Sequence, residues 1–468
     1  MTLYEATIST TTEAIQNFRS SIQGTVHTPG EEAYDENRMA WNLSVNQNPA
    51  LIVNAETADD MAAAVQFASQ QNLGVAVQST GHGVAHPAND SLLIRTFRMT
   101  DVRVDAGRRT ATVEAGAKWD TVLEKAQGVG LAPLLGSSPD VGVAGYTLGG
   151  GMGWLARKYG LAVDSVNSFD VITADGRQLH ISDREHSDLF WSMRGGGGSF
   201  AVLVGMEIQL YPVTKVYAGN LVYAPEDARQ VVARYREWIK DLPDEMTSSI
   251  VLMNFPPMET VPEMFRGKSF VMVRGCWCGA LEEGEQLLNS WRDWKVPVHD
   301  FWGELPFSQA ATISNDPVDP IPSFSNGAWM KDLDDRAVDT FIDYALPKGG
   351  PPALVFCEVR HAGGVISRVD SNANAYSNRE ALFNLNMIGV TPTTEAYNQV
   401  EAYTYKFLQA LEPHLTGGVY MNFLGGENAV ERTKAAYPSE TFQRLREIKT
   451  KYDPGNMFQY GFGIDPLG

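Results

Sequence analysis

The chain has 468 residues, 44% apolar and 20% charged, which is long enough for two or three domains and too apolar for a disordered polymer. Lys plus Arg number 37 against 56 Asp plus Glu, and the net charge of −19 repels phosphate backbones and anionic lipid. Neither nucleic acid nor a membrane surface is therefore expected as a partner. Three cysteines, Cys276, Cys278 and Cys357, are too few for a disulfide framework and read as reduced thiols. The first residues, MTLYEATISTTTEAIQNF, lack the basic start and apolar run of a signal peptide, and no run of about eighteen apolar residues occurs. A cytoplasmic protein is expected.

From about Pro49 to Pro212, short β-rich runs alternate with helical ones. LIVNA (51–55) reads as a strand, ADDMAAAVQFASQQN (58–72) as an amphipathic helix, and GVAVQS (74–79) as the next strand. Leu92–Ile94 and RTATVEAGA (109–117) are further strands, and WDTVLEKAQ (119–127) is a helix. FDVITADG and RQLHIS form a strand pair turning at Asp175-Gly176, and SFAVLVGMEIQLYPV (199–213) reads as one long strand run.

A second block, about 214–415, changes rhythm. Strands are expected at 216–224, 248–255, 269–279 and 352–364, with helices at 225–242, 281–294, 333–346 and 393–413. This is the pattern of an α+β domain built on an antiparallel sheet. The remainder holds VYMNFLG (419–425), whose alternation suits a half-buried strand, then a helix over 439–453 and the tail PGNMFQYGFGIDP.

Three glycine-dense loops stand out. Ser79-Thr80-Gly81-His82-Gly83 follows a strand, the second runs from Gly136 to Gly153, and Arg194-Gly195-Gly196-Gly197-Gly198 is the third. Backbone amides exposed in this way suit a pyrophosphate. None of the loops has the GxGxxG spacing, and Gly267-Lys268-Ser269 has Pro262 where a P-loop needs its first glycine, so neither nicotinamide nor ATP is supported. His82 and His86 are spaced HxxxH, but Gly81, Gly83 and Pro87 argue against a helix that could present them to a metal. No metal is expected. Ser138 lacks the closing glycine of GxSxG, so a serine hydrolase has no support.

The order strand–TGHG, GSSPDVGVAGYTLGGGMGW, ARKYGLAVD, ITADG, SDLFWSMRGGGGSF, YxNF and KYDPGNMF resembles the berberine-bridge-enzyme-like branch of the FAD-linked oxidases, with the vanillyl-alcohol-oxidase type of flavin fold. The resemblance spans nearly the whole chain. It implies a two-subdomain, PCMH-type FAD-binding domain over 1–213 (core about 47–213) and an α+β substrate domain with an antiparallel sheet over 214–415. A berberine-bridge-like segment over 416–468 then returns to the FAD domain.

Residue by residue, the resemblance implies that His82 is bonded to the methyl carbon of the flavin's benzenoid ring, with Ser79, Thr80, Gly81 and Gly83 around it. Some relatives carry a second bond through a cysteine before the proline of the second loop. Here Ser138 precedes Pro139, so FAD attached through His82 alone is expected. Val141, Gly142, Gly145, Tyr146, Gly149, Gly150 and Gly153 correspond to the stretch beside the flavin and pyrophosphate. Val141 corresponds to a gate for dioxygen. Val202 and the Gly195–Gly198 loop are expected to touch the cofactor through backbone groups, with packing as the rival role for Gly195 and Gly196. Asn456 is expected near the cofactor, although the run after Phe458 departs from the family pattern.

Catalysis needs a base while hydride moves to the flavin. Tyr420 matches the family's tyrosine beside the reacting face. Glu358 and Arg360 share one face of their strand, and a salt-bridged surface pair is their rival reading. The implied function is oxidation of a small organic substrate (an alcohol, sugar, amine or natural-product intermediate) with dioxygen reduced to hydrogen peroxide. The alternatives are a dehydrogenase using another acceptor and a flavin-binding protein without turnover. Substrate identity and oligomeric state have no signature in the sequence.

Overall fold

A computed structural model of the chain describes residues 11–84, 86–426 and 429–468; the first ten residues of the segment read for a leader lie outside the described residues. Its strands fall into three sheets in chain order. The first has four strands, β1 (Thr25–His27), β2 (Leu51–Asn54), β3 (Val75–Gln78) and β4 (Leu92–Arg95), ordered β1-β2-β4-β3. β2, β4 and β3 run parallel, which requires a crossover, and the helix Ala58–Gln71 supplies it. Thr57 caps that helix by accepting from the Asp60 amide, Asn72 ends it at φ 56°, and Met61, Val65 and Ala68 bury its apolar stripe.

The second sheet is antiparallel: β5 (Val102–Asp105), β6 (Thr110–Glu114), β7 (Val166–Ile172), β8 (Gln178–Ser182) and β9 (Val202–Gln209), ordered β5-β6-β9-β7-β8. The third has eight strands, β10 (Lys215–Tyr223), β11 (Met246–Asn254), β12 (Ser269–Trp277), β13 (His299–Asp300), β14 (Gly303–Pro306), β15 (Ser323–Met330), β16 (Phe356–His361) and β17 (Phe383–Val390). Its central order is β10-β12-β11-β16-β17-β15, all antiparallel. The helices Ala228–Trp238, Leu281–Trp294, Asp335–Ala345 and Thr394–Leu411 pack on it, burying Trp291, Phe341 and Phe407 with Cys357 and Val359 of β16. Trp277, Trp302 and Phe324 belong to that core, whereas Trp329 joins a separate cluster with Tyr420.

The C-terminal helix Ser439–Tyr452 returns to the second sheet's side, where Leu445 and Ile448 share a core with Leu189, Phe190 and Met193 of the helix Ser187–Gly196. Three local expectations are corrected. Val419–Gly425 is not a strand: an extended Tyr420 leads into a 3-10 turn over Met421–Phe423. The run 199–213 is a strand only over Val202–Gln209. Gly195 and Gly196 close a helix rather than lying in an open loop, because the chain breaks at Gly195 (φ 111°) where the Tyr376 backbone approaches.

Candidate functional site

The first glycine loop leaves β3 and is strapped from outside. The amides of Trp41 and Asn42 donate to the carbonyls of Thr80 and Gly81, at 3.1 and 3.3 Å. Gly81 sits at φ 83°, and a Cβ there would lie 2.8 Å from Ala40, so both conformation and contact demand glycine. The strap presents Trp41 to His82; their rings stack at 4.2 Å with 16° between planes. The Nδ1 of His82 lies 2.8 Å from the Thr80 hydroxyl, and Nε2 is 3.7 Å from Asp140 of the second loop. Asp140 in turn accepts from Lys118. Burial lowers the His82 pKa to about 4 against the pull of Asp140, so the imidazole is neutral and its lone pair available at neutral pH. His86, the other half of the HxxxH spacing, stacks instead on Tyr460.

The second loop packs on the first: a Cβ on Gly142 would meet the Ser79 hydroxyl at 2.8 Å. Beyond it, several glycines expected along the cofactor have protein neighbours. A Cβ would strike Asn422 at Gly149, the Tyr376 ring at Gly150, and the Leu135 carbonyl at Gly153. Packing by itself requires glycine at these three positions, so their being glycine is no sign of a cofactor. Val202 is also a core residue, opposite Ile172 in the ladder with its side chain buried. Asn456 turns its amide to Asp465, at 2.8 Å.

Other positions in the loops lack a protein explanation. At Gly83, Gly145 and Gly198 an added Cβ meets nothing within 4 Å among the described residues, and none has a positive φ. Gly145 even sits inside the helix Val143–Leu148, where glycine costs roughly 1 kcal/mol relative to alanine. In the same loops the hydroxyls of Ser79, Ser138 and Ser199 and the Nε2 of His82 are buried without a hydrogen-bond partner among the described residues. Open glycines beside unsatisfied donors and acceptors fit a polar group that lies along the backbone.

Tyr420 closes the other side. Three donors converge on its buried hydroxyl: the amides of Gly151 (3.1 Å) and Met152 (3.0 Å) and the Asn422 amide nitrogen (3.0 Å). Gly150 and Gly151, at φ 118° and 80°, let two successive amides aim at one point. Asn422 also donates to the Tyr146 carbonyl, tying the second loop to Tyr420. On balance burial raises the phenol's pKa, although these three donors and Arg360 pull it part of the way back. Tyr146 and Tyr376 border the same place, but their hydroxyls have no partner and burial pushes both well up. Among the three phenols, only Tyr420 has a cradle for an oxyanion.

Glu358 and Arg360 project from β16 on the face opposite the helix layer. Neither is on the surface: Glu358 is fully buried and bonded on both sides, to Arg274 at 2.7 Å and Arg360 at 2.6 Å. Burial alone would push the carboxyl up, but Arg360 and Arg274 outweigh it and hold it at about 2. Both the surface-pair reading and a direct catalytic role for Glu358 are thereby corrected, since a carboxylate locked between two guanidinium groups is a poor base. Arg360 reaches on to the Met152 carbonyl at 3.2 Å and lies over the Phe423 ring at 5.0 Å. Arg274, Ser249, Arg360, Asn384 and Trp329 are successive cross-strand partners, and this polar row floors the space below Tyr420. A small cavity lined by Ser137, Met152, Trp154, Ser249 and Arg360 lies between the row and the second loop.

The site therefore brings together Ser79–Gly83, Ser138–Tyr146, Tyr420 and Arg360. Trp41, Lys118, Asp140, Arg274 and Asn422 escaped the sequence reading. Only Asn422, two residues after Tyr420 in YxNF, carried a signal in its spacing.

Comparison with known proteins agrees with this geometry. Residues 49–182 match the family model of an FAD binding domain, and 419–465 match that of berberine and berberine-like proteins. An FAD-linked oxidoreductase of Dictyostelium discoideum is 26% identical over 97% of this chain and 98% of its own length. The (R)-6-hydroxynicotine oxidase of Paenarthrobacter nicotinovorans is 26% identical over 96% and 98%. Among solved structures, the 6-hydroxy-D-nicotine oxidase of Arthrobacter nicotinovorans superposes with a TM-score of 0.83 at 24% identity, covering 96% of this chain and 99% of that one. A glucooligosaccharide oxidase of Acremonium strictum, described with 6-S-cysteinyl, 8α-N1-histidyl FAD, also gives 0.83, at 21% identity over 97% and 100%.

Proposed function

We propose, from the premise that the chain belongs to the berberine-bridge-enzyme-like FAD-linked oxidoreductases, that it oxidises a small organic substrate and passes the electrons to dioxygen, giving hydrogen peroxide. The observation that carries the reading is the convergence of three donors on the Tyr420 hydroxyl beside Arg360. Burial still leaves this phenol's pKa above its ordinary value, but two amides, an asparagine and Arg360 offset part of that penalty where a phenolate's charge would lie. Tyr420 is therefore the group here best placed to take a proton from a substrate hydroxyl or amine. Arg360 adds a positive charge that Glu358 cannot cancel, because Arg274 shares the same carboxylate. The floor thus keeps one net positive charge for the phenolate.

FAD, when bound, would supply the hydride acceptor, with a potential raised by an imidazole substituent. His82 would hold it, with Ser79, Ser138 and the open faces of Gly83 and Gly145 along its length. Ser138 provides no thiol, which supports a single tether. Val141, half-buried beside this stretch, would leave room for dioxygen.

The test is peroxide release from purified enzyme under air with a panel of alcohols, sugars and amines. Peroxide stoichiometric with substrate consumed is expected. Flavin that stays reduced in air would point to a dehydrogenase instead. Acid precipitation should leave a yellow pellet, and His82→Ala should move the colour to the supernatant; wild-type protein that releases all its colour rules out the tether.

A further inference from the structure

We infer that Asp140 is the positioning carboxylate for formation of the bond between His82 and the flavin, an inference that rests on the covalent reading above. The Nε2 of His82 is buried with no hydrogen-bond partner, and the nearest charged group to it is Asp140, at 3.7 Å. Trp41 stacks on the ring and confines its tilt. Lys118 donates to the other oxygen of Asp140 and so shares that carboxylate with the imidazole. A carboxylate facing Nε2 favours the tautomer with its proton there, and so puts the lone pair on Nδ1. The Thr80 hydroxyl, 2.8 Å from Nδ1, donates to that lone pair until the flavin replaces it.

In the bond-forming step, Nδ1 of His82 bonds to the carbon of the flavin's benzenoid methyl group, which gives up one proton. The imidazole becomes cationic, Asp140 stabilises it, and the Nε2 proton is then released by way of that carboxylate. The methyl C–H electron pair and the two protons end on the flavin ring, which is reduced. Dioxygen removes two electrons and two protons as hydrogen peroxide, so the chain gains FAD less two hydrogens. Among the described residues, Asp140 is the one carboxylate within 4 Å of a His82 ring nitrogen and so the one placed to balance the imidazolium charge.

Protein made in riboflavin-limited cells is mixed with FAD under air, and acid-stable flavin and intact mass are followed in time. Wild type should gain the tether. Asp140→Asn should bind as much acid-releasable FAD but form the bond at least about tenfold more slowly, by analogy with removing the outer partner of a metal-bound histidine. Asp140→Glu should restore most of the rate, and Lys118→Gln, which frees the carboxylate, should match or exceed wild type. Tethering by Asp140→Asn at the wild-type rate overturns the inference. So does a Lys118→Gln variant slowed as much as Asp140→Asn, since the pair would then serve only loop packing. Wild type that binds FAD and never gains mass sinks the covalent reading instead.

Discussion

At the scale of single residues, the site depends on buried charges set against each other. Arg274 and Arg360 flank one carboxylate, leaving a surplus cation within reach of Tyr420. Because Arg360 lowers the Tyr420 pKa, Arg360→Gln should move the acidic limb of the kcat/KM–pH profile to higher pH, with Arg360→Lys returning it toward wild type. Tyr420→Phe, which keeps the ring packed against Trp329 and Phe423, should slow flavin reduction by about 10²–10⁴-fold while leaving the bound flavin in place. Stopped-flow reduction at several pH values measures both. An unshifted limb in Arg360→Gln would remove the arginine from the mechanism.

At the scale of elements, the C-terminal segment is held by a buried pair invisible in a one-dimensional reading. Lys449, fully buried in the helix Ser439–Tyr452, donates to Asp453 at 2.6 Å and to the Ser199 carbonyl at 2.7 Å. Asp453 also accepts the amides of Met457 and Phe458, turning the chain into its tail. That tail lays Phe462 against Gly197 and Gly149, where a Cβ would meet its ring. The atypical Gln459–Ile464 run therefore reinforces the glycine loops with aromatic packing. Asp453→Asn leaves a buried ammonium uncompensated and should cost about 3–5 kcal/mol in a urea or thermal unfolding experiment. A change within 0.5 kcal/mol would mean that water reaches the pair.

At the scale of the whole molecule, acid should be the route to unfolding. His361, buried beside Arg157, has its pKa lowered to about 3 by burial and by that guanidinium, so the folded protein keeps it neutral. A histidine whose folded pKa is depressed binds more protons unfolded, so its contribution is complete above about pH 6.5 and is lost as pH falls toward 3. Glu358, held at about 2, adds a loss below about pH 4.5 in the same direction. Stability should fall steadily from pH 6.5 downward, and His361→Gln should flatten the upper part of that curve in an equilibrium unfolding series. The division of labour between sequence and tertiary structure follows from what each interaction requires. Helix and strand periodicity is local, so 281–294 is legible to the residue and β16 to within a few positions. Glycine density is also local, so the three loops and His82 stand out in the bare chain. Which glycines serve a ligand and which make room for Tyr376, Asn422 or Leu135 depends on chain segments up to 273 residues apart, as with Gly149 and Asn422. Likewise the charge on Glu358 depends on Arg274 across β11, and the cradle at Tyr420 on two amides of another loop. Desolvation and opposed charges act through space, and no spacing along a chain encodes them before it folds.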